Sequence, residues 1–265
     1  MIGIDFELGR RGLVIHAPAD VENLPVARQA FRAFGQLLGM PEDALGEAEL
    51  GVTEAVSNVI KHAYGEDGDG ELRLELALEG DHLLARVTDT GGGIPEEVMR
   101  DGRSEEGFGL ILMDGVARRM RLSSSSDGTQ VDLEFGVASG PAAAGSDAPS
   151  EAVLRRVLTV LGAQADLSVD RLTEAALAGE LLARHSAGSL EGNVLEVRMD
   201  RAHELLRVHA GPYVSGGAES VLAETEAPVV GRVLEKLADH VTGSRDASGA
   251  EWLELRMGEE PGSAR

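Results

Sequence analysis

Apolar residues recur along the chain in two rhythms. Ile2 to Leu8 and Leu13 to Ala17 alternate or cluster as short strands around a Gly9-Arg10-Arg11-Gly12 turn. Asp20 then offers a helix N-cap, and Leu24, Ala27, Phe31, Phe34 and Leu38 return at helical spacing until Gly39 stops the run. Pro41, Glu42 and Asp43 open a second helix whose stripe is Leu45, Ala48, Val52, Ala55 and Val59, ending near Tyr64. The period then changes to two. Leu72, Leu74, Leu76 and Leu78 alternate with polar residues, and after Gly80-Asp81 a strand runs through Leu83, Leu84 and Val87 to Asp89. A glycine-rich loop follows. A helix from about Gly107 to about Arg119 leads to strands at 121–125 and 129–137, joined by Asp127-Gly128.

Residues 139–150, SGPAAAGSDAPS, lack apolar periodicity and read as a linker between a first domain over 1–138 and a second over 151–265. The second half repeats the first. Displaced by 121 positions, Leu74, Glu75, His82, Leu84, Arg86 and Val87 meet identical residues at Leu195, Glu196, His203, Leu205, Arg207 and Val208. A displacement of 122 lays Gly109 to Leu112 on Gly231 to Leu234, and Val131 to Leu133 on Leu253 to Leu255. The pattern predicts a duplicated domain whose second copy lacks the first strand pair.

Composition narrows the function classes. The 265 residues carry 24 Lys and Arg against 46 Asp and Glu, a formal charge of -22, which disfavours nucleic acid and anionic membrane as main partners. With 43% hydrophobic and 3% aromatic residues, a globular core must be built from aliphatic side chains. The absence of cysteine excludes disulfides, thiolate metal sites and cysteine nucleophiles. With no signal peptide and no apolar run of membrane length, the expected location is the cytoplasm.

Three segments could carry chemistry. On the second helix Glu54, Asn58 and His62 are four residues apart and share a ridge. An amide oxygen suits Mg²⁺, which takes few protein ligands, so Asn58 is a candidate for the ion that bridges nucleotide phosphates. A carboxylate at Asp89 accepts a hydrogen bond from the adenine 6-amino group and repels the guanine 6-oxygen. Gly91 and Gly93 permit close approach of backbone, and Gly107 and Gly109 at a helix start present N–H groups and a positive dipole end to phosphate.

In this order, the segments resemble the N box and the two glycine boxes of the GHKL (Bergerat) ATP-binding superfamily, and more closely the anti-sigma-factor serine kinases of the general-stress and sporulation type. TEAVSNVIKHAY (53–64), TDTGGGI (88–94), EGFGLILM (106–113) and DGTQVDLEF (127–135) carry the likeness, which covers about residues 13–137. The resemblance implies an α/β two-layer sandwich, a mixed and largely antiparallel sheet with helices on one face, present here twice. It implies Glu54 as the general base toward an attacking serine hydroxyl, Asn58 as Mg²⁺ ligand and Asp89 as the adenine reader. Gly91 and Gly93 would shape the base pocket, Gly107 and Gly109 the phosphate cradle, and Thr129 would close the base pocket. Residues 95–106 would form an ATP lid. Cofactors are then ATP and Mg²⁺, and the partners a sigma factor and an anti-sigma antagonist phosphorylated on serine.

One departure stands out. Family members often carry a basic residue before the second glycine box, where this chain has Glu105 and Glu106; like charge weakens phosphate binding unless Arg100, Arg103 or Lys61 compensates. The alternative function is therefore an ATP-gated protein-interaction module without kinase turnover. A histidine kinase catalytic domain is disfavoured because no helical hairpin with a phosphoacceptor histidine precedes the ATPase-like region. In the second copy Asp89 aligns with Ala210, the glycine loop becomes Gly211-Pro212-Tyr213, and the helix Leu172 to His185 has no Glu-x-x-x-Asn pair. That copy is expected not to bind ATP and to stand in for a second subunit within one chain. His203-Glu204-Leu-Leu-Arg207 lacks the second histidine of a zinc motif and falls on an expected strand. Ser123 to Ser126 read as a strand end, and His62 is assigned no chemistry.

Overall fold

The structure, a computed structural model, describes residues 1–7, 12–64, 70–93, 105–137, 149–192, 194–227 and 231–258. The expected linker falls outside these apart from Pro149 and Ser150, as does the lid segment apart from Glu105 and Glu106. The chain divides into two compact units, residues 12–146 and residues 1–11 with 147–265.

The first unit is a five-stranded antiparallel sheet in the order β2-β3-β4-β6-β5, formed by β2 (Gly12–Pro18), β3 (Glu71–Glu79), β4 (His82–Asp89), β5 (Arg119–Ser125) and β6 (Gly128–Gly136). Among the described residues three helices cover one face: α1 (Leu24–Leu37), α2 (Glu42–Asn58) and α3 (Glu105–Val116). Asp20 accepts from the Glu22 N–H (2.9 Å) and caps a short 3-10 turn, Val21–Asn23, that leads into α1. Among the described residues the core is mainly aliphatic, with Phe31 edge-on to Phe135 at 5.8 Å. α3 begins two residues before Gly107.

The second unit has the same strand order, β1-β7-β8-β12-β11, from β1 (Ile2–Glu7), β7 (Val194–Ala202), β8 (Leu205–Tyr213), β11 (His240–Arg245) and β12 (Glu251–Gly258). Its helices are α4 (Pro149–Gln164), α5 (Val169–Ser186), α6 (Gly217–Glu224) and the single turn α7 (Leu234–Leu237), with a small hairpin of β9 (Glu226–Ala227) and β10 (Gly231–Arg232) between the last two.

Two expectations need correction. The N-terminal strand belongs to the second unit: β1 pairs antiparallel with β7, Ile4 opposite Val197 and Phe6 opposite Leu195. Ile2, Ile4 and Phe6 are buried there, so the second unit has a first strand, supplied from the far end of the chain. Strand partners this distant leave no local signal in sequence. The hairpin register also differs from the displacement of 121. The turns fall at Gly80-Asp81 and His203-Glu204, 123 residues apart. A slip of two residues returns every side chain to the same face, so apolar alternation cannot detect it. His203 and Glu204 accordingly lie in a turn, Glu204 with φ 56°, and not on a strand.

Candidate functional site

The site of the first unit is assembled from the end of β4, the start of β6, the C-terminal half of α2 and the first turns of α3. Asp89 is the last residue of β4 and is 5% exposed. Its Oδ1 accepts from the Gly91 N–H at 2.8 Å and from the Thr129 N–H at 3.2 Å. Among the described residues both bonds go to Oδ1. Thr129 is held in turn by Ser124, with the two hydroxyls 3.2 Å apart.

The glycines of this region answer first to the chain itself. A Cβ on Gly91 would lie 2.0 Å from the Ala63 carbonyl oxygen, and the neighbouring Gly92 N–H donates to that oxygen at 3.1 Å. Gly93 has φ 73°, and a Cβ there would lie 2.0 Å from the Ser125 carbonyl oxygen. The glycine run thus lies flat on the helix end and on β5, fixing where the segment after Asp89 begins.

α2 ends at Asn58 and continues as a π-helical turn, Val59–Ala63. Such turns are rare and concentrate at functional sites. The widened turn carries the Ala63 carbonyl to the glycine run. Glu54 and Asn58 are half-buried, whereas Lys61 and His62 are exposed. Glu54 meets α3 at Gly109, where a Cβ would lie 2.4 Å from Glu54 Oε1. Gly107 occupies the first turns of α3. The structure therefore joins Glu54 to Gly109, and Asp89 to Gly91 and Thr129, with Asn58 on the α2 ridge between Glu54 and the π turn.

Tyr64 is a residue the sequence did not single out. Its hydroxyl donates to the Glu71 carbonyl at 2.6 Å and accepts from the Thr90 N–H at 2.9 Å, tying the segment after Asp89 to the start of β3. It lies inside the quoted stretch 53–64, but an aromatic at a helix end carries no signal of a backbone partner 26 residues away.

Residues 17–135 match the family described as the histidine kinase-like ATPase domain. Within it, the chain is similar to the serine-protein kinase RsbW of Oceanobacillus iheyensis, at 25% identity over 120 residues, covering 40% of this chain and 75% of that protein. It is likewise similar to the serine-protein kinase RsbW of Bacillus subtilis, at 27% identity over 121 residues, 41% of this chain and 76% of that protein. A solved structure holding the RsbU and RsbW domains of a Mycobacterium tuberculosis protein matches with 20% identity and a TM-score of 0.37, over 47% of this chain and 32% of that one. The chain thus spans about a third of that solved chain's length.

No helix among the described residues is long and apolar enough to cross a membrane. Among the same residues no three of His, Cys, Asp and Glu cluster as a metal site. Mg²⁺ at a nucleotide needs no such cluster, because phosphate oxygens and water fill most of its coordination. The Asn58 amide is a donor of the right kind for that arrangement.

Proposed function

We propose that the chain is an ATP-dependent anti-sigma regulatory factor acting as a serine-protein kinase on an antagonist protein. The observation that carries the reading is the Asp89 carboxylate, buried, fixed through one oxygen by two backbone N–H groups, and leaving the other oxygen for an adenine 6-amino group. Asn58 is the Mg²⁺ ligand, Gly107 and Gly109 the phosphate cradle, and Gly91, Gly93 and Thr129 the frame of the base pocket. ATP, when bound, would supply the phosphoryl group, and Mg²⁺ held through Asn58 would offset its charge. Glu54, braced against Gly109, accepts the proton of the attacking serine hydroxyl as the oxygen–phosphorus bond forms and ADP leaves. The antagonist provides that serine, and a sigma factor is the protein sequestered. The names of the RsbW relatives support the kinase assignment.

The test is transfer of labelled phosphate from ATP to a cognate antagonist by the full chain. Glu54→Gln is expected to lower turnover about 10²-fold or more, the low end of general-base contributions, while ATP binding is kept. Glu105 and Glu106 in the first turn of α3 favour a second reading, a nucleotide-gated interaction module without turnover. That reading predicts equally low transfer by wild type and Glu54→Gln, with both still binding ATP.

A further inference from the structure

The helical hairpins of the two units match bond for bond at a displacement of 127 residues. Met40 N–H donates to the Gly35 carbonyl and Leu167 N–H to the Gly162 carbonyl, both at 3.0 Å. Leu45 N–H donates to Pro41 at 2.8 Å and Leu172 N–H to Ser168 at 2.9 Å. Between the helices Gly39 and Asp166 both take positive φ, 73° and 58°. The buried stripes of α2 and α5 agree at the same displacement, Ala48 with Ala175, Val52 with Gly179, Ala55 with Leu182 and Val56 with Ala183. This correspondence puts Leu181 at the position of Glu54 and His185 at that of Asn58.

The sheet supplies the other corners. The inward residues Leu83, Ala85 and Val87 of β4 correspond to Leu206, Val208 and Ala210 of β8. A bulge then advances β8 by one residue, so the next inward side chain, at the place of Asp89, is Tyr213, paired with Glu251 at the place of Thr129. The expected alignment of Asp89 with Ala210 is corrected by this register.

Tyr213, Glu251 and His185 all meet α6. Tyr213 is fully buried, its hydroxyl 2.8 Å from Ser186 Oγ, and a Cβ on Gly217 of α6 would lie 3.0 Å from Tyr213 Cβ. Glu251 accepts from the Ala218 N–H of α6 at 3.3 Å. His185 lies 3.4 Å from the carboxylate of Glu224, the last residue of α6. Val221 is fully buried, and Ala218 and Leu222 are nearly so. The α3 counterpart is cut to one turn, α7, preceded by the β9-β10 hairpin in place of a glycine-led helix start.

We propose that the second unit is a copy of the ATPase fold whose nucleotide cleft is filled by its own helix α6 and by Tyr213, so that each chain holds a single nucleotide. Filling, and not merely the loss of Asp89 and Asn58, is what closes the cleft: an aromatic ring stands at the place of Asp89, and Glu251, at the place of Thr129, caps the helix lying across the cleft.

The single-nucleotide count rests on the first unit's being the ATP site, whereas the filled cleft does not, and one experiment separates them. Amide hydrogen exchange of the full chain is followed with and without Mg·ATP. The expected result is an ATP-dependent slowing at 54–64, 87–93 and 105–110, none at 181–191, 209–224 or 249–254, and α6 amides slow before nucleotide is added. Slowing by ATP in the second set, or α6 amides exchanging as freely as a surface loop, overturns the filled cleft. Slow α6 amides with no ATP effect anywhere keep the filled cleft and overturn the nucleotide reading of the first unit, and the count with it. Equilibrium dialysis against Mg·ATP, at a concentration that just saturates the wild type, gives that count directly: one ATP per chain and almost none for Asp89→Asn, whereas two per chain, or one ATP retained by the variant, contradicts the proposal.

Discussion

Asp89→Asn is the most informative single change in the first unit, because the geometry fixes how the new amide must turn. Oδ1 of Asp89 accepts two backbone bonds, from Gly91 and Thr129. The substituted asparagine keeps both only with its carbonyl oxygen on those donors, which turns its NH₂ to where Oδ2 stood. The base would then meet a donor in place of an acceptor. ATP loses a hydrogen bond to a charged group and leaves a buried donor facing a donor, together about 3 kcal/mol or more. At about 1.4 kcal/mol per tenfold, ATP affinity falls roughly a hundredfold or more, while GTP, with an acceptor at the same position, loses nothing comparable. Titration calorimetry with Mg·ATP and Mg·GTP reads both. Thermal unfolding should change little, since the backbone bonds are kept. ATP affinity within a few-fold of wild type in a folded variant would refute the assignment of Asp89 to the base.

Gly109→Ala pushes a methyl group to within 2.4 Å of Glu54 Oε1, so the carboxylate must swing away; phosphoryl transfer should fall by about tenfold or more with ATP affinity nearly kept, as expected for a displaced general base. Glu49 is buried between Arg28 and Arg32. Burial alone would raise its pKa, but the hydrogen bonds and charges of Arg32 and Arg28 prevail and hold it below its ordinary value of 4.5. Its contribution is therefore present above about pH 4.5 and lost as the pH falls through the lower folded value. Glu49→Gln should cost about 1–3 kcal/mol at neutral pH in denaturant melts and flatten the acid limb of the stability curve. Burial raises the pKa of Tyr213 to about 12, against the weaker opposing bond from Ser186. Of the chain's two tyrosines, this one should form phenolate only near pH 12 while the fold persists, and phenolate absorbance measures it. A fragment of residues 149–265 lacks β1 and bares the β7 edge, so it should self-associate in sedimentation runs until a peptide of residues 1–11 is added.

Local regularities were legible in the sequence. The apolar stripes of α1 and α2, the Leu72 to Val87 hairpin and the glycine positions beside Asp89 follow from side-chain period and turn chemistry, which act over a few residues. Glu54, Asn58 and Asp89 stand out as candidates because residue type and order already limit what chemistry is possible. The pairing of β1 with β7 could not, since alternation marks a strand but not its neighbour. The two-residue register slip in the second hairpin was hidden because it leaves every face unchanged. Tyr213 looked like part of a lost glycine loop; that its ring is buried in the cleft depends on the β8 bulge and on α6, neither of which has a signature of its own. Tyr64 was missed for the same reason, as its partners are backbone groups brought to it by the fold.

The central claim is that Asp89 reads the base of a nucleotide held by the first unit. A crystal structure of the full chain grown with Mg·ADP tests it most directly. The account predicts the adenine 6-amino group on Asp89 Oδ2, the phosphates toward the start of α3, and Asn58 at the metal. Nucleotide bound against Tyr213 and Glu251, or bound in the first unit with its base away from Asp89, would contradict it.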